Sequence, residues 1–291
     1  MGDLKTILIT GGSGYLGKNL VKFFAKDGHE IILLVRENSN VDYLDQLHGN
    51  FIIHRIGSTD LEELFIEKKV DVIIHTAASY GRKGESLSNV IDANLTFPVR
   101  LLDIAIKNGV KFFINTDTAL PKELNAYSRS KKQFLEWLES LSKDINVINL
   151  QLEYFYGPYD DQTKFITYLL GELASGKKSI DFTDATPLRD FIYIDDVVNA
   201  YATVFNQLDN FKEITTVQVG SGNAVMLKEL ILEVQRIANR LEVQLNFGAL
   251  SMRPNEIMKS CADNSFLKKM GWQPQHSFEE GIQKTIELEK N

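Results

Sequence analysis

Tyr127 and Lys131 stand four residues apart in a segment with helical character, so both side chains would lie on one helical face. A tyrosine hydroxyl, with an ordinary pKa of about 10, is a slow acid and base at neutral pH. A neighbouring ammonium group would favour the phenolate and bring that pKa closer to the working range. The pair could then donate a proton to a carbonyl oxygen, and the alternative interpretation is a solvated helix face.

Thr116 and Thr118 precede this helix at the end of an apolar run. Residues two apart lie on the same side of an extended strand, so both hydroxyls would face the same space. A threonine hydroxyl there could bind a carbonyl oxygen and stabilise the negative charge that develops when the carbonyl carbon accepts a hydride. The residue types alone do not choose between the two threonines.

A glycine-rich segment near the N-terminus predicts where the hydride donor would bind. Glycines at three-residue spacing follow the apolar run 4–9 and precede the amphipathic segment 15–26. A strand, a glycine turn and a helix N-terminus let a pyrophosphate approach the backbone, whereas a lone glycine pattern would be an ordinary turn. The predicted cradle for a dinucleotide consists of Gly11, Ser13, Gly14, Tyr15, Leu16 and Gly17.

Arg36 ends the second strand-like run, where an acidic residue would bind the ribose of NAD and an arginine can pair with a 2′-phosphate. Arg36 therefore favours NADP(H), with Glu37 as the competing residue and a plain surface arginine as the alternative. Asp60 follows the third strand and could accept from the adenine amino group or cap a helix. Small residues at the end of the fourth strand would let the cofactor lie across the sheet edge: Thr76, Ala77 and Ala78.

The order of apolar runs predicts an α/β fold with a doubly wound parallel sheet of Rossmann type. Strand-like runs at residues 30–35, 51–55, 70–75, 111–115 and 145–152 alternate with helical patterns, notably 87–108 and 126–143. We expect a dinucleotide-binding domain at 1–152, to which 187–220 returns. Residues 153–186 and 221–291 would form a smaller mixed α/β substrate lobe.

Composition narrows the possible partners. The 291 residues carry a net charge of −7, so the chain has no overall attraction for nucleic acid or an anionic membrane. Its single cysteine cannot form an internal disulfide, and no apolar run approaches the length of a membrane span. The first strand starts so close to Met1 that we expect no secretory leader. We expect a cytoplasmic protein without a metal, because no cluster of ligand residues has metal-binding spacing.

Four later segments extend the pattern: residues 155–158 (Phe-Tyr-Gly-Pro), 189–197 (Arg-Asp-Phe-Ile-Tyr-Ile-Asp-Asp-Val), 262–263 (Ala-Asp) and 271–274 (Gly-Trp-Gln-Pro). Together with the glycine motif and the Tyr127/Lys131 pair, they make the chain resemble an extended short-chain dehydrogenase/reductase of the sugar-nucleotide-modifying kind. Residues 78–82, 152–157 and 255–263 resemble one group within it, the CDP-abequose and CDP-paratose synthases.

This resemblance implies an oxidoreductase that uses NADPH to reduce the C4 ketone of CDP-4-keto-3,6-dideoxyglucose, for the O-antigen of bacterial lipopolysaccharide. Tyr127 would be the proton donor, Lys131 its partner, and Thr116 or Thr118 the hydroxyl on the ketone. The resemblance also implies substrate-binding residues: Tyr80 and Arg82, which would face the sugar, Tyr154, and Arg189 and Arg253 for the nucleotide diphosphate.

The residues themselves support the two arginines, because a diphosphate bound to an acidic protein needs forked donors. Other interpretations stay open for both. Arg189 could form a buried pair with Asp190 or Asp195, and Arg253 could be a free loop arginine.

The alternatives are a sugar-nucleotide epimerase or dehydratase, or a non-catalytic NADP(H)-binding regulator. Dehydratases of this superfamily carry an Asp-Glu pair after the active threonine, whereas here Thr116 is followed by Asp117 and Thr118, so the glutamate is missing. The resemblance also implies a homodimer that pairs helices 87–108 and 126–143, although their apolar stripe could simply pack on the sheet. The sequence leaves abequose and paratose products equally open.

Overall fold

The structure is a computed structural model that describes residues 4–57 and 61–290. The chain divides into two compact units. The first contains the residues up to Gln151 together with Tyr201–Val217, and the second contains Leu152–Ala200 together with the residues from Gln218 onward.

The first unit is built on a seven-stranded sheet. Its strands are β1 (Thr6–Thr10), β2 (Glu30–Arg36), β3 (Asn50–Ile56), β4 (Val72–His75), β5 (Phe112–Thr118), β6 (Asn146–Leu152) and β10 (Ile214–Val219), in the order β10-β6-β5-β4-β1-β2-β3. The pairs β1/β2, β1/β4, β2/β3 and β4/β5 are parallel. The strand order reverses direction at β1 and β4, which confirms the predicted doubly wound fold.

Helices flank this sheet because the segments between strands are amphipathic. They are α1 (Tyr15–Lys26), α2 (Leu61–Glu67), α3 (Leu87–Ile91), α4 (Phe97–Lys107) and α5 (Ala126–Ser140), together with the part of α7 (Ile194–Phe205) that begins at Tyr201. Both faces of the sheet are covered, so its strands are rich in buried aliphatic residues. The core also contains aromatic side chains such as Phe113 and Phe134, which are fully buried.

The predicted helix over 87–108 is interrupted by one π-helical turn at Asp92–Thr96. Pro98 has no N–H for the helical ladder, and the turn before it widens so that the Phe97 N–H reaches the carbonyl oxygen of Asp92. This turn matters for the site because it contains the buried Asn94.

The second unit contains two small sheets. One has the order β11-β9-β7, from β7 (Tyr154–Tyr156), β9 (Leu188–Tyr193) and β11 (Ala224–Met226), and the other pairs β8 (Ser179–Asp181) with β12 (Gln244–Asn246). The helices are α6 (Phe165–Ala174), α8 (Leu227–Ile237), α9 (Ser265–Lys269) and α10 (Phe278–Glu289). The sequence analysis placed residues 187–200 with the first domain. In the structure they lie with the second unit, because β9 pairs with β7 and β11.

Candidate active site

The glycine motif forms a tight turn between β1 and α1. The Gly14 N–H donates to the carbonyl oxygen of Gly11 at 2.8 Å, and Gly11 has a φ of 70°. A Cβ atom on Gly11 would lie 2.7 Å from the Ala77 nitrogen, and a Cβ on Gly17 would overlap the Gly11 carbonyl. Among the described residues no side chain caps α1, and its first turn has no acidic residue. The backbone therefore fits a pyrophosphate at this helix N-terminus.

The end of β4 is tied to the end of β1. The Thr10 hydroxyl oxygen accepts from the N–H groups of Thr76 and Ala77, both at 3.2 Å, and lies 2.8 Å from His75 Nδ1. Burial and the nearby Lys131 ammonium hold the pKa of His75 well below its ordinary value. His75 is thus a neutral histidine packed in the sheet, and its bond to Thr10 sets the position of residues 76–78 beside the glycine turn.

Arg36 is exposed at the end of β2, where the sequence predicts the cofactor-selecting residue. Arg55 on β3 was missed: its Nη1 donates to the carbonyl oxygens of Glu37 at 2.5 Å and Ser39 at 3.1 Å. These contacts hold the loop that carries Arg36. Asp60, the predicted adenine ligand, lies outside the described residues.

Tyr127 enters the site at the start of α5. Asn125 and Ser128 form a reciprocal capping box that fixes this helix terminus. The Tyr127 ring lies 4.7 Å from the ring of Tyr80, and the Arg82 guanidinium lies 5.3 Å from the Tyr80 ring. The structure therefore brings together Tyr127 and the two residues that were predicted to face the sugar.

The electrostatics of this pair correct one expectation. Burial raises the pKa of Tyr127 well above its ordinary value, and a hydrogen bond from Thr118 and the charge of Arg82 only partly oppose it. Lys131 is only 1% exposed, and burial lowers its own pKa to about 8. The net shift of the Tyr127 pKa is therefore upward and not downward as expected, because the lost hydration of the phenolate outweighs the neighbouring charges.

The two candidate threonines have different partners. Thr116 Oγ1 lies 2.6 Å from the hydroxyl oxygen of Tyr201 on α7. Thr118 Oγ1 accepts from the Leu120 N–H at 3.2 Å, and the Thr118 side chain acts to lower the pKa of Tyr127. Sequence reasoning missed Tyr201, and the one signal for it is a tyrosine within the apolar pattern of α7.

Asp117, between the threonines, points into the interior. Its Oδ2 accepts from Lys132 Nζ at 2.6 Å and from Asn149 Nδ2 at 3.3 Å, and its side chain is fully buried. The Asn149 side chain also accepts from Asn115 Nδ2 at 2.7 Å. The ammonium of Lys132 thus compensates the carboxylate, and neither Lys132 nor Asn149 was predicted.

Asn94, in the π-helical turn, fixes the loop that leads to Tyr80. Its amide accepts from the Ser79 N–H and donates to the Ser79 carbonyl, each at 2.8 Å. A two-point amide contact holds Ser79 in one orientation, so it also sets the neighbouring Tyr80 against Tyr127.

In the second unit Arg189 is buried and forms an ion pair with Glu256. Its guanidinium also lies 5.6 Å from the Tyr154 ring, so two predicted substrate residues are neighbours. The alternative of a buried ion pair named the wrong partner, since Arg189 pairs with Glu256 and not with Asp190 or Asp195. The Asp190 carboxylate instead accepts backbone N–H groups of residues 221, 222 and 262. Arg253 is exposed in the same loop as Glu256.

Glu153, beside Tyr154, is a buried carboxyl group that the sequence did not single out. Ser260 Oγ lies 2.8 and 2.7 Å from its two carboxyl oxygens. Burial raises the pKa of Glu153 to about 7, so this group titrates near neutral pH.

Residues 4–57 and 61–290 contain neither a metal-binding cluster nor a membrane-spanning helix. No group of histidine, cysteine, aspartate and glutamate side chains is arranged to hold a metal ion. No helix in the same ranges has the length and apolar character to cross a membrane.

Comparison with known proteins agrees with this geometry. Residues 7–220 match the NAD dependent epimerase/dehydratase family. The CDP-abequose synthase of Salmonella typhimurium is 36% identical over 96% of this chain and 97% of its own length, and that of Salmonella muenchen is 33% identical over 98% of both. The chain therefore belongs to the NAD dependent epimerase/dehydratase family, as its motifs predicted.

Solved structures show the same fold at lower identity. The UDP-glucose 4-epimerase of Thermotoga maritima superposes with a TM-score of 0.84 over 98% of both chains, at 22% identity. The dTDP-glucose 4,6-dehydratase of Bacillus anthracis gives 0.83 over 99% of this chain and 97% of its own, also at 22% identity. These likenesses confirm the Rossmann-type architecture.

Proposed function

We propose that this protein uses NADPH to reduce the C4 ketone of a nucleotide-linked deoxyhexose. The substrate would be CDP-4-keto-3,6-dideoxyglucose and the product CDP-abequose or CDP-paratose, a precursor of lipopolysaccharide O-antigen made in the cytoplasm. The observation that carries the proposal is that Thr116 and Thr118 at the end of β5 and Tyr127 and Lys131 at the start of α5 lie in the same unit as the glycine cradle. Identity of 36% to a CDP-abequose synthase supports this substrate.

The protonation states suit a reduction. Because burial raises the pKa of Tyr127, its phenol is protonated at neutral pH and can donate to the ketone oxygen. The bound nicotinamide would supply the hydride that the ketone carbon accepts. The phenolate left on Tyr127 would be stabilised by the hydrogen bond from Thr118 and the charge of Arg82, which already lower the pKa of this tyrosine.

Lys131 would have two tasks at the same point. Its pKa of about 8 leaves most of the side chain charged at neutral pH, so it adds positive charge near the phenolate. By the family resemblance, it would also bind the cofactor together with Tyr127. A buried ammonium is a stronger electrostatic partner than an exposed one, because little water screens it.

Asp117 argues against a dehydratase. An acid that eliminates water from a sugar must reach the substrate, whereas the Asp117 carboxylate is buried and held by Lys132 and Asn149. In a reductase, Asp117 would only hold β5 and α5 together through its ion pair with Lys132.

The exposed Arg36 supports NADPH rather than NADH. Its guanidinium is available at the end of β2 to pair with a 2′-phosphate, and Arg55 holds the loop that presents it.

A homodimer through α3, α4 and α5 is also proposed. Trp137 on α5 is 50% exposed and Leu87 on α3 is 62% exposed, which supports burial of this surface against a second copy. Static light scattering at micromolar concentration should give twice the chain mass. A monomer at that concentration rejects the dimer.

The test of the function is a cofactor-oxidation assay. Purified protein with NADPH and CDP-4-keto-3,6-dideoxyglucose should lose absorbance of the reduced nicotinamide, and NMR of the product should identify the configuration at C4. UDP-, GDP- and dTDP-linked 4-keto sugars serve as the comparison set. Turnover of a sugar nucleotide without net cofactor consumption would instead identify an epimerase.

A further inference from the structure

Tyr201 is a fully buried tyrosine, 0% exposed, on α7, at a position outside the segments that the sequence analysis singled out. Its hydroxyl oxygen lies 2.6 Å from Thr116 Oγ1, and both residues belong to the first unit. Tyr80 is close enough to Tyr201 to influence its ionisation, and the Tyr80 ring packs on Tyr127. Tyr201 therefore approaches the candidate active site from its interior side.

The direction of the Tyr201–Thr116 hydrogen bond follows from burial. Burial raises the pKa of Tyr201, so its phenol keeps its proton. Within the described residues, the hydrogen-bond partner of this hydroxyl is Thr116 Oγ1. A buried donor without an acceptor is costly, so Tyr201 donates and Thr116 accepts. The proton of the Thr116 hydroxyl is then available for another acceptor.

Thr118 is engaged differently. Its hydroxyl oxygen accepts from the Leu120 N–H, and its side chain acts to lower the pKa of Tyr127. Of the two threonines, Thr116 is half-buried whereas Thr118 is buried, so the Thr116 hydroxyl is the more accessible to a ligand.

We propose that Tyr201 is a positioning residue for the reaction: it donates to Thr116 Oγ1 and thereby fixes that hydroxyl with its proton directed at the substrate ketone oxygen. Thr116 would be the hydroxyl on the ketone, and Thr118 would stabilise the Tyr127 phenolate. A donor that itself accepts a hydrogen bond is a stronger donor, so the Tyr201 bond also strengthens the contact to the ketone. The inference rests on the proposed ketone reduction.

The test is a double-mutant cycle of Tyr201→Phe and Thr116→Val, with kcat, KM and the Kd of NADPH as readouts. Y201F should lower kcat about tenfold, with KM and the NADPH Kd unchanged. T116V should lower kcat more, and the double variant should be no slower than T116V alone. Tyr156→Phe is the matched control, because this buried phenol donates to the Phe278 carbonyl in the second unit and should leave kcat unchanged.

A stability measurement tests the same bond without altering Tyr201. T116V removes the acceptor of a buried donor and should lower the thermal midpoint by several degrees, whereas Thr116→Ser keeps the oxygen and should match the wild type in midpoint and nearly in kcat. Equal midpoints for T116V and T116S would overturn the buried Tyr201–Thr116 hydrogen bond on which the inference depends, even if Y201F did not fold.

The outcomes separate this inference from the proposed function. An active wild type whose Y201F variant keeps full kcat would overturn the inference alone, as would additive losses in the cycle. A wild type that oxidises NADPH with none of the 4-keto sugars would reject the proposed function, and the role of Tyr201 with it.

Discussion

Lys132 Nζ lies 2.6 Å from Asp117 Oδ2 and 2.7 Å from the carbonyl oxygen of Thr118. One ammonium group thus binds both the carboxylate and the backbone of the strand end that carries the two candidate threonines. The Lys132 side chain is 16% exposed and the Asp117 side chain is fully buried. The ion pair is therefore part of the scaffold of the site rather than a surface contact.

Removing the Lys132 ammonium should destabilise the fold. Lys132→Met leaves the Asp117 carboxylate buried and without its cation, which costs about 3–5 kcal/mol when such a pair is broken. Urea unfolding measures the change in the free energy of unfolding. Lys122→Met is the control, because the Lys122–Glu136 pair is exposed and should contribute less than about 1 kcal/mol. Equal effects of the two variants would contradict a structural role for Lys132.

Tyr127→Phe should abolish most of the ketone reduction. Loss of a positioned general acid lowers kcat by about 100-fold or more, while the cofactor-binding backbone is unchanged. Stopped-flow NADPH oxidation gives kcat, and fluorescence titration gives the NADPH Kd, which should stay within a few-fold of the wild type. Tyr168→Phe, at an exposed tyrosine of the second unit, is the control. Full activity of Y127F would remove this residue from the mechanism.

Lys131 predicts an alkaline limit on activity. Because burial lowers its pKa to about 8, its ammonium is present below that pH and is lost above it. We expect kcat/KM, which reports the free enzyme, to fall as the pH rises through about 8. Lys131→Met should be slow at all pH values and should lack this fall. A wild-type profile that stays level to pH 10 would show that the loss of this charge is immaterial.

Glu153 predicts that stability decreases as the pH rises. Its folded-state pKa of about 7 lies above the ordinary 4.5, so between these values the folded chain binds more protons than the unfolded chain. The free energy of unfolding should therefore fall between about pH 4.5 and pH 7, and Glu153→Gln should remove the fall. The difference between variant and wild type should grow by up to about 3 kcal/mol over this range.

Urea unfolding at pH 5 and pH 8 measures this difference. Glu229→Gln, at an exposed glutamate on α8, is the control and should keep the wild-type pH dependence. A constant offset between E153Q and the wild type at both pH values would contradict the burial argument.

Arg36 should select the cofactor. Arg36→Gln removes a charged donor from the end of β2 and should weaken NADPH binding about tenfold or more, with NADH binding unchanged. Arg55→Gln frees the loop that Arg55 holds and should weaken NADPH binding to a lesser extent. Arg240→Gln, at an exposed arginine of the second unit, is the control. Equal affinity of the wild type for the two cofactors would refute the selection by Arg36.

Local patterns were sufficient to predict the glycine turn of the candidate site. Gly11, Gly14 and Gly17 predicted the cradle because each spacing reports a backbone contact, and the structure shows those contacts. The raised pKa of Tyr127 was less predictable, since the loss of hydration that causes it depends on how deeply the ring is buried. The ion pair of Arg189 with Glu256 joins residues 67 positions apart and left no local signal.

The sequence by itself determined the doubly wound sheet, the glycine turn and the Tyr127/Lys131 pair, because periodicity and short spacings are set within a few neighbouring residues. Only the tertiary structure decided that Thr116 contacts the hydroxyl of Tyr201 and that the buried Asp117 carboxylate is paired with Lys132. These properties depend on contacts between β5, α5, β6 and α7, and hydrogen-bond partners and burial across such distances exist only once the chain has folded.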